Sequence, residues 1–190
     1  STKAIPANLT VGTGAGSATV VLGANSETVT STNVTVNSSS AFDLAGYDDE
    51  IAGLTANGGS VTTAGGTLTL TGDVAATSVG STPAAIAGNL ALSGPTHNFS
   101  VVAGGGATDD LVVPAVVSGT GAGLTKASGG TMVLSATNTY TGATTVSEGA
   151  LLVDGALPSS SVSVAGGTLG GTGTVASLAA SGGTVSPGDS

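Results

Sequence analysis

Five times along the chain, two glycines and a hydroxyl residue stand directly before an apolar residue. The phrases are "GGSV" from Gly58, "GGTL" from Gly65, "GGTM" from Gly129, "GGTL" from Gly166 and "GGTV" from Gly182. A phrase of this kind turns the backbone and then opens an extended segment, so its recurrence describes a small unit used repeatedly. Between the phrases, runs such as "TNVTV", "GNLALSG" and "SVSVAGG" alternate apolar with small polar residues and stop at Gly, Asn, Asp or Pro, which is the pattern of short half-buried strands. No stretch holds an apolar stripe of period 3.6 for three turns, and glycine interrupts nearly every ten residues, so helices are not expected.

The interior built by such strands must be narrow. The 190 residues include two Phe, two Tyr, one Met and no Trp, which leaves Val, Leu, Ile and Ala to fill it. With 39% hydrophobic and only 7% charged residues the chain is nevertheless a folding one, despite its 33 glycines. Leu22, Leu44, Leu68, Leu90, Leu111, Met132 and Leu152 recur at gaps of 20 to 24 residues, and Val11, Val34, Leu54, Val79, Val101, Leu124, Val146, Val164 and Val185 at gaps of 18 to 25. A repeat of that length with two or three short strands per turn predicts an all-β chain, a β-solenoid of about eight coils. Leu68, Leu90, Leu111, Met132 and Leu152 are expected to point inward, with Thr and Ser in outward rows.

The net charge is −9, there is no Arg, and Lys3 and Lys126 are the only Lys residues. Phosphate neutralisation has nothing to work with, so nucleic acid and anionic lipid are excluded as partners. No run of about 18 apolar residues exists to span a bilayer as a helix, and the opening "STKAIPANLT" lacks the basic-then-apolar pattern of a signal peptide. The absence of Cys rules out disulfides and thiolate metal sites.

From Leu124 to Leu157 the sequence reads "LTKASGGTMVLSATNTYTGATTVSEGALLVDGAL", and "GGTLGGTGTVASLAASGGTVSPGDS" follows. Residues 124–188 resemble the autotransporter-associated β-strand repeat of exported bacterial surface proteins. Departures are small: "KASGGTM" stands where "K-T-G-x-G-T-L" is usual, and "SATNTYTG" where "SGANTYTG" is usual. The resemblance implies a right-handed parallel β-helix and export to the surface of a Gram-negative-type cell. It also implies passenger roles in secretion, adhesion or self-association. It divides the chain into degenerate coils over 1–123 and the repeat proper over 124–190, continuous with them.

Residues able to carry chemistry are few. His97 is the single His and no G-x-S-x-G is present, so a serine triad is not expected. The acids of "YDDE" (Asp48, Asp49, Glu50) and "TDDL" (Asp109, Asp110) are read as turn caps or solvated groups. As pairs they are the only support for a polysaccharide-acting enzyme. Asp43, Asp48, Asp49 and Glu50 are close enough in sequence to be weak calcium candidates, although neither the EF-hand nor the G-G-x-G-x-D nonapeptide pattern occurs. The glycine strings "GTGAG" and "GGTGTV" lack the Lys-Ser/Thr of a phosphate loop. Tyr140 is expected at a coil corner and Asn138 at a turn cap or in a stack of amides. No catalytic residue and no cofactor is therefore expected, and the chain reads as a structural or adhesive stalk or filament.

Ice binding through Thr67, Thr69 and Thr71 is the remaining alternative. Partners are expected to be further coils, by head-to-tail self-association or continuation into a longer chain, together with a cell-surface or glycan ligand. Lys3 and Pro6 are placed to blunt the first edge.

Overall fold

The computed structural model describes residues 4–5, 7–13 and 16–188, and every helix or strand element among them is a strand. Lys3 and Pro6 lie outside the described residues. The strands form two parallel sheets facing each other across one apolar core. The first sheet has nine strands, from Leu9–Val11 to Thr174–Ala180, and the chain alternates between it and the second sheet, which runs from Thr19–Val21 to Thr184–Pro187. Nine strands in the first sheet mean eight coil-to-coil steps, the β-solenoid of about eight turns that the spacing predicts.

Register follows from the pleat, because in a strand every second side chain faces the core. In the first sheet Val34, Leu54, Val74, Phe99, Lys126, Val146 and Val164 lie opposite one another on successive coils, all within 2% of complete burial. From Phe99 the steps along this column are 27, 20, 18 and 16 residues, to Lys126, Val146, Val164 and Ala180, so the coils shorten toward the last one.

The glycine-led phrases all enter the second sheet. Met132, Leu169 and Val185, each preceded by Gly-Gly-Thr, share one column with Leu151. Glycine is required at the corner before it. A Cβ on Gly149, Gly167 or Gly183 would overlap the carbonyl oxygen of Gly130, Gly149 or Gly167 respectively, one coil earlier.

Four of the five inward expectations hold: Leu68, Leu90, Leu111 and Met132 are fully buried. Leu152 is half-buried on the outer side, and Leu151 takes the inward place opposite Met132. Ala150, opposite Thr131, sets this register, and a slip of one residue exchanges the two faces of a strand. Leu90 and Leu111, neighbours in the spacing series, are not stacked. Leu90 lies opposite Val117, and Leu111 opposite Ala84. Pro114 divides this segment into the strands Leu111–Val113 and Val116–Ser118, because proline has no N–H to give to a ladder. Val79 leaves the interior altogether, at 43% exposure in a turn, and Val185 is 38% exposed on the last coil.

Candidate functional site

The acidic residues are distributed along the coil corners, where each holds one coil to the next. Asp43 Oδ1 accepts from Ala45 N (2.9 Å) and Thr62 Oγ1 (3.0 Å), and Asp48 Oδ1 accepts from Thr67 N (2.8 Å). Asp49 is buried. Its Oδ1 accepts from Thr28 Oγ1 (2.8 Å) and from Glu50 N (2.9 Å), and its Oδ2 from Thr28 N (3.1 Å). Glu50 is half-buried beside them. These bonds commit the oxygens of Asp43, Asp48 and Asp49 to different donors. Among the described residues no group of three His, Cys, Asp or Glu is arranged to hold a metal ion.

The second acidic cluster divides in the same way. Asp109 is half-buried, while Asp110 is buried and accepts from Ser78 Oγ, Gly104 N (2.9 Å) and Thr131 N (2.9 Å). Burial pushes the Asp110 pKa up, but the bonds from Ser78, Gly104 and Thr131 stabilise the carboxylate more, and the net shift is downward. Asp110 therefore pins three coils, through Ser78, its own loop and Thr131.

Lys126 is the group that sequence reasoning placed least well. Instead of standing alone on the surface it occupies the apolar column between Phe99 and Val146, fully buried. Its Nζ donates to the carbonyls of Ala127 (3.0 Å), Ser128 (2.7 Å) and Glu148 (3.1 Å). Burial lowers its pKa to about 8, against the opposing pull of Asp110 and Glu148. The signal was present in "LTKA", because Lys126 shares strand parity with inward Leu124.

His97 is 1% exposed, with Nδ1 donating to Gly72 O (2.6 Å) and Nε2 without a partner, and no printed contact joins it to a serine. Tyr140 fills a coil corner as expected. Its hydroxyl bonds Thr144 Oγ1 (2.6 Å), which bonds Ser160 Oγ (2.8 Å), which donates to Gly142 O (2.7 Å). Burial raises the Tyr140 pKa against the bonds from Thr144 and Ser160. Asn138 is a buried turn cap, accepting from Val117 N and donating to Ala136 O, both at 2.9 Å.

Thr67 and Thr69 lie in the second sheet opposite Asn89 and Ala91, so the hydroxyl rank is not continued on the following coil. The more regular outward rows are on the first sheet, where Thr35 and Thr55 are register partners, as are Asn37 and Asn57. Asn57 Nδ2 donates to Asn37 Oδ1 (3.0 Å) and Asn37 Nδ2 to Gly12 O (2.6 Å).

Two concavities interrupt this surface. One, of about 550 Å3, opens on the outer face of the first sheet over Gly53 and Ala75 and is walled by Asn33, Thr55, Asp73 and Asn98. The other, of about 130 Å3, lies on the last coils, lined by apolar groups including Leu169, Val175, Leu178 and Val185. Leu178 is 44% exposed there.

Residues 124–153, which contain Lys126, Met132, Tyr140 and Leu151, match the passenger-associated-transport-repeat family. The chain is also similar to an extracellular serine protease of Serratia marcescens, at 46% identity over 74 residues, which make up 38% of this chain and 7% of that protein. It thus spans a small part of that relative's length. No solved structure matches the chain. The matched segment is an autotransporter-associated repeat, as the resemblance from Leu124 implies, and both matches point to an exported protein.

Proposed function

We infer that the chain is a non-catalytic structural segment of an exported bacterial surface passenger, a stalk that holds other parts of the protein away from the cell. One observation carries this reading: the polar groups able to do chemistry are consumed in stacking. Asp43, Asp48, Asp49 and Asp110 cap backbone or hydroxyl donors on neighbouring coils, and Lys126 caps three carbonyls at one corner. A serine protease elsewhere along a much longer relative does not bear on this segment, because the shared stretch is the repeat. The apolar edge at Leu178 and Val185 fits continuation of the stack by another coil of the same kind, in the same polypeptide or in a copy placed head to tail.

The test is to place the chain between two globular markers and image the fusion by electron microscopy. Eight steps at about 4.8 Å give a rod near 40 Å, so the markers should stand at a fixed separation of about that length plus their radii. A variable or collapsed separation overturns the stalk reading. Labelling of the isolated chain by a serine-hydrolase probe overturns the non-catalytic one.

A further inference from the structure

We propose that the notch over Gly53 and Ala75 is a binding site for a neutral saccharide, the adhesive contact of the stalk described above, on which this inference rests. The notch exists because two outward positions on adjacent strands of the first sheet carry almost no side chain. Gly53 lies opposite Asn33, and Ala75 lies opposite Thr55 on one side and Ser100 on the other. The result is a polar depression of about 550 Å3, room for one or two sugar rings, on a sheet whose outer face is otherwise filled.

The groups around it match the hydrogen-bonding needs of a polyol. Asp73 spends Oδ1 on Asn98 N (2.8 Å), and its other oxygen makes no bond among the described residues. The side-chain amide of Asn33 and the hydroxyl of Thr55 make none either, and Asn98 Oδ1 is shielded from water without any donor. A buried carbonyl left without a donor is costly, and a rotation of the Asn98 amide that engages a ligand hydroxyl removes that cost. Carboxylate and amide oxygens accept from sugar hydroxyls, and amide and hydroxyl hydrogens donate to sugar oxygens, so neighbouring hydroxyls on one ring can be held in both senses.

Charge narrows the ligand further. No cation lines the notch, and Asp73 repels acidic sugars and phosphate, so the ligand is neutral. No aromatic ring lines it either, so affinity for a single saccharide is weak, and useful strength comes from many copies on one cell.

The experiment is titration of the isotopically labelled chain with three neutral tetrasaccharides, of glucose, mannose and N-acetylglucosamine, and with a tetrauronate. At least one neutral ligand should shift amide resonances clustered at residues 33, 53–55, 73–75 and 98–100, and the uronate should not. Gly53→Val fills the notch on a backbone that tolerates a side chain. Its Cβ meets only the movable Asn33 Oδ1 closer than 3 Å. This variant, with an unchanged circular dichroism spectrum, should bind at least tenfold more weakly, and Asn98→Ala should lose most of the shifts.

Shifts elsewhere, preference for the uronate, unaltered binding by Gly53→Val, or silence toward all three neutral ligands overturns the site. None of these results touches the stalk, which fails separately if the marker separation is not fixed.

Discussion

Lys126 makes the stability of this chain rise with pH in a range where most proteins lose it. Its amine is buried between Phe99 and Val146 and titrates at about 8, against an ordinary 10.5. Between those values the unfolded chain holds a proton that the folded chain has released, so stability increases with pH until both forms are neutral. The full gap is worth about 3 kcal/mol, and about 2 kcal/mol of it falls between pH 7 and pH 9.5. Above about pH 10 the sign reverses. Burial raises the Tyr140 pKa, so the unfolded phenol ionises first.

The assay is urea denaturation followed by circular dichroism at half-unit steps from pH 7 to 9.5. The wild-type midpoint should climb throughout, and Lys126→Met should be flat over the same range whatever its stability at pH 7. A flat or falling wild-type curve, or an equal climb in Lys126→Met, refutes the buried amine.

Other substitutions read the register and the polar pins directly. Leu151→Ala should cost about 2 to 5 kcal/mol in chemical denaturation, because it empties a buried position opposite Met132, whereas Leu152→Ala on the outer side should cost less than about 1 kcal/mol. Gly167→Val drives a side chain into the Gly149 carbonyl, so coils beyond residue 167 should lose hydrogen-exchange protection while those before Gly130 keep theirs. Asp110→Asn converts the acceptor for Thr131 N, or the one shared by Ser78 and Gly104, into a donor, at a cost of about 1 to 3 kcal/mol. The wild-type Asp110 carboxyl titrates below its ordinary 3.8, so its stabilisation is complete above that value and lost as pH falls through the lower folded one. Acid melts should therefore show a component that Asp110→Asn lacks.

What could be read in advance follows from how local each signal is. Gly-Gly-Thr before an apolar residue carries both the turn and the first inward side chain, so Met132, Leu169 and Val185 fall into one column without knowledge of the fold. Leu151 and Leu152 are adjacent and equally apolar, and composition cannot choose between them. The choice is made by Gly149, whose corner must lie over Gly130. Leu90 and Leu111 looked like one series because Pro114 had not been given its effect on the strand.

Lys126 was legible by parity but overridden by its charge, since a lone ammonium is ordinarily at the surface and only the three carbonyls of the corner make its burial tolerable. The notch was out of reach. Gly53 and Ala75 become neighbours only once steps of 20 residues, from Val34 to Leu54 and from Leu54 to Val74, are known.

The most direct test of the stacked-coil account is a cysteine pair on the outer face of the first sheet. Thr125 and Thr145 are register partners on successive coils, and Ser163 is the partner of Thr145 on the next one. Parallel neighbours about 4.8 Å apart fall within the range a disulfide spans, whereas positions two coils apart do not. The chain has no Cys of its own, so any bridge comes from the introduced pair. Mild oxidation of Thr125→Cys with Thr145→Cys should close an intramolecular disulfide in nearly every molecule, and Thr125→Cys with Ser163→Cys should leave both thiols free. Free thiols in the first pair, or a bridge in the second, contradict the stack.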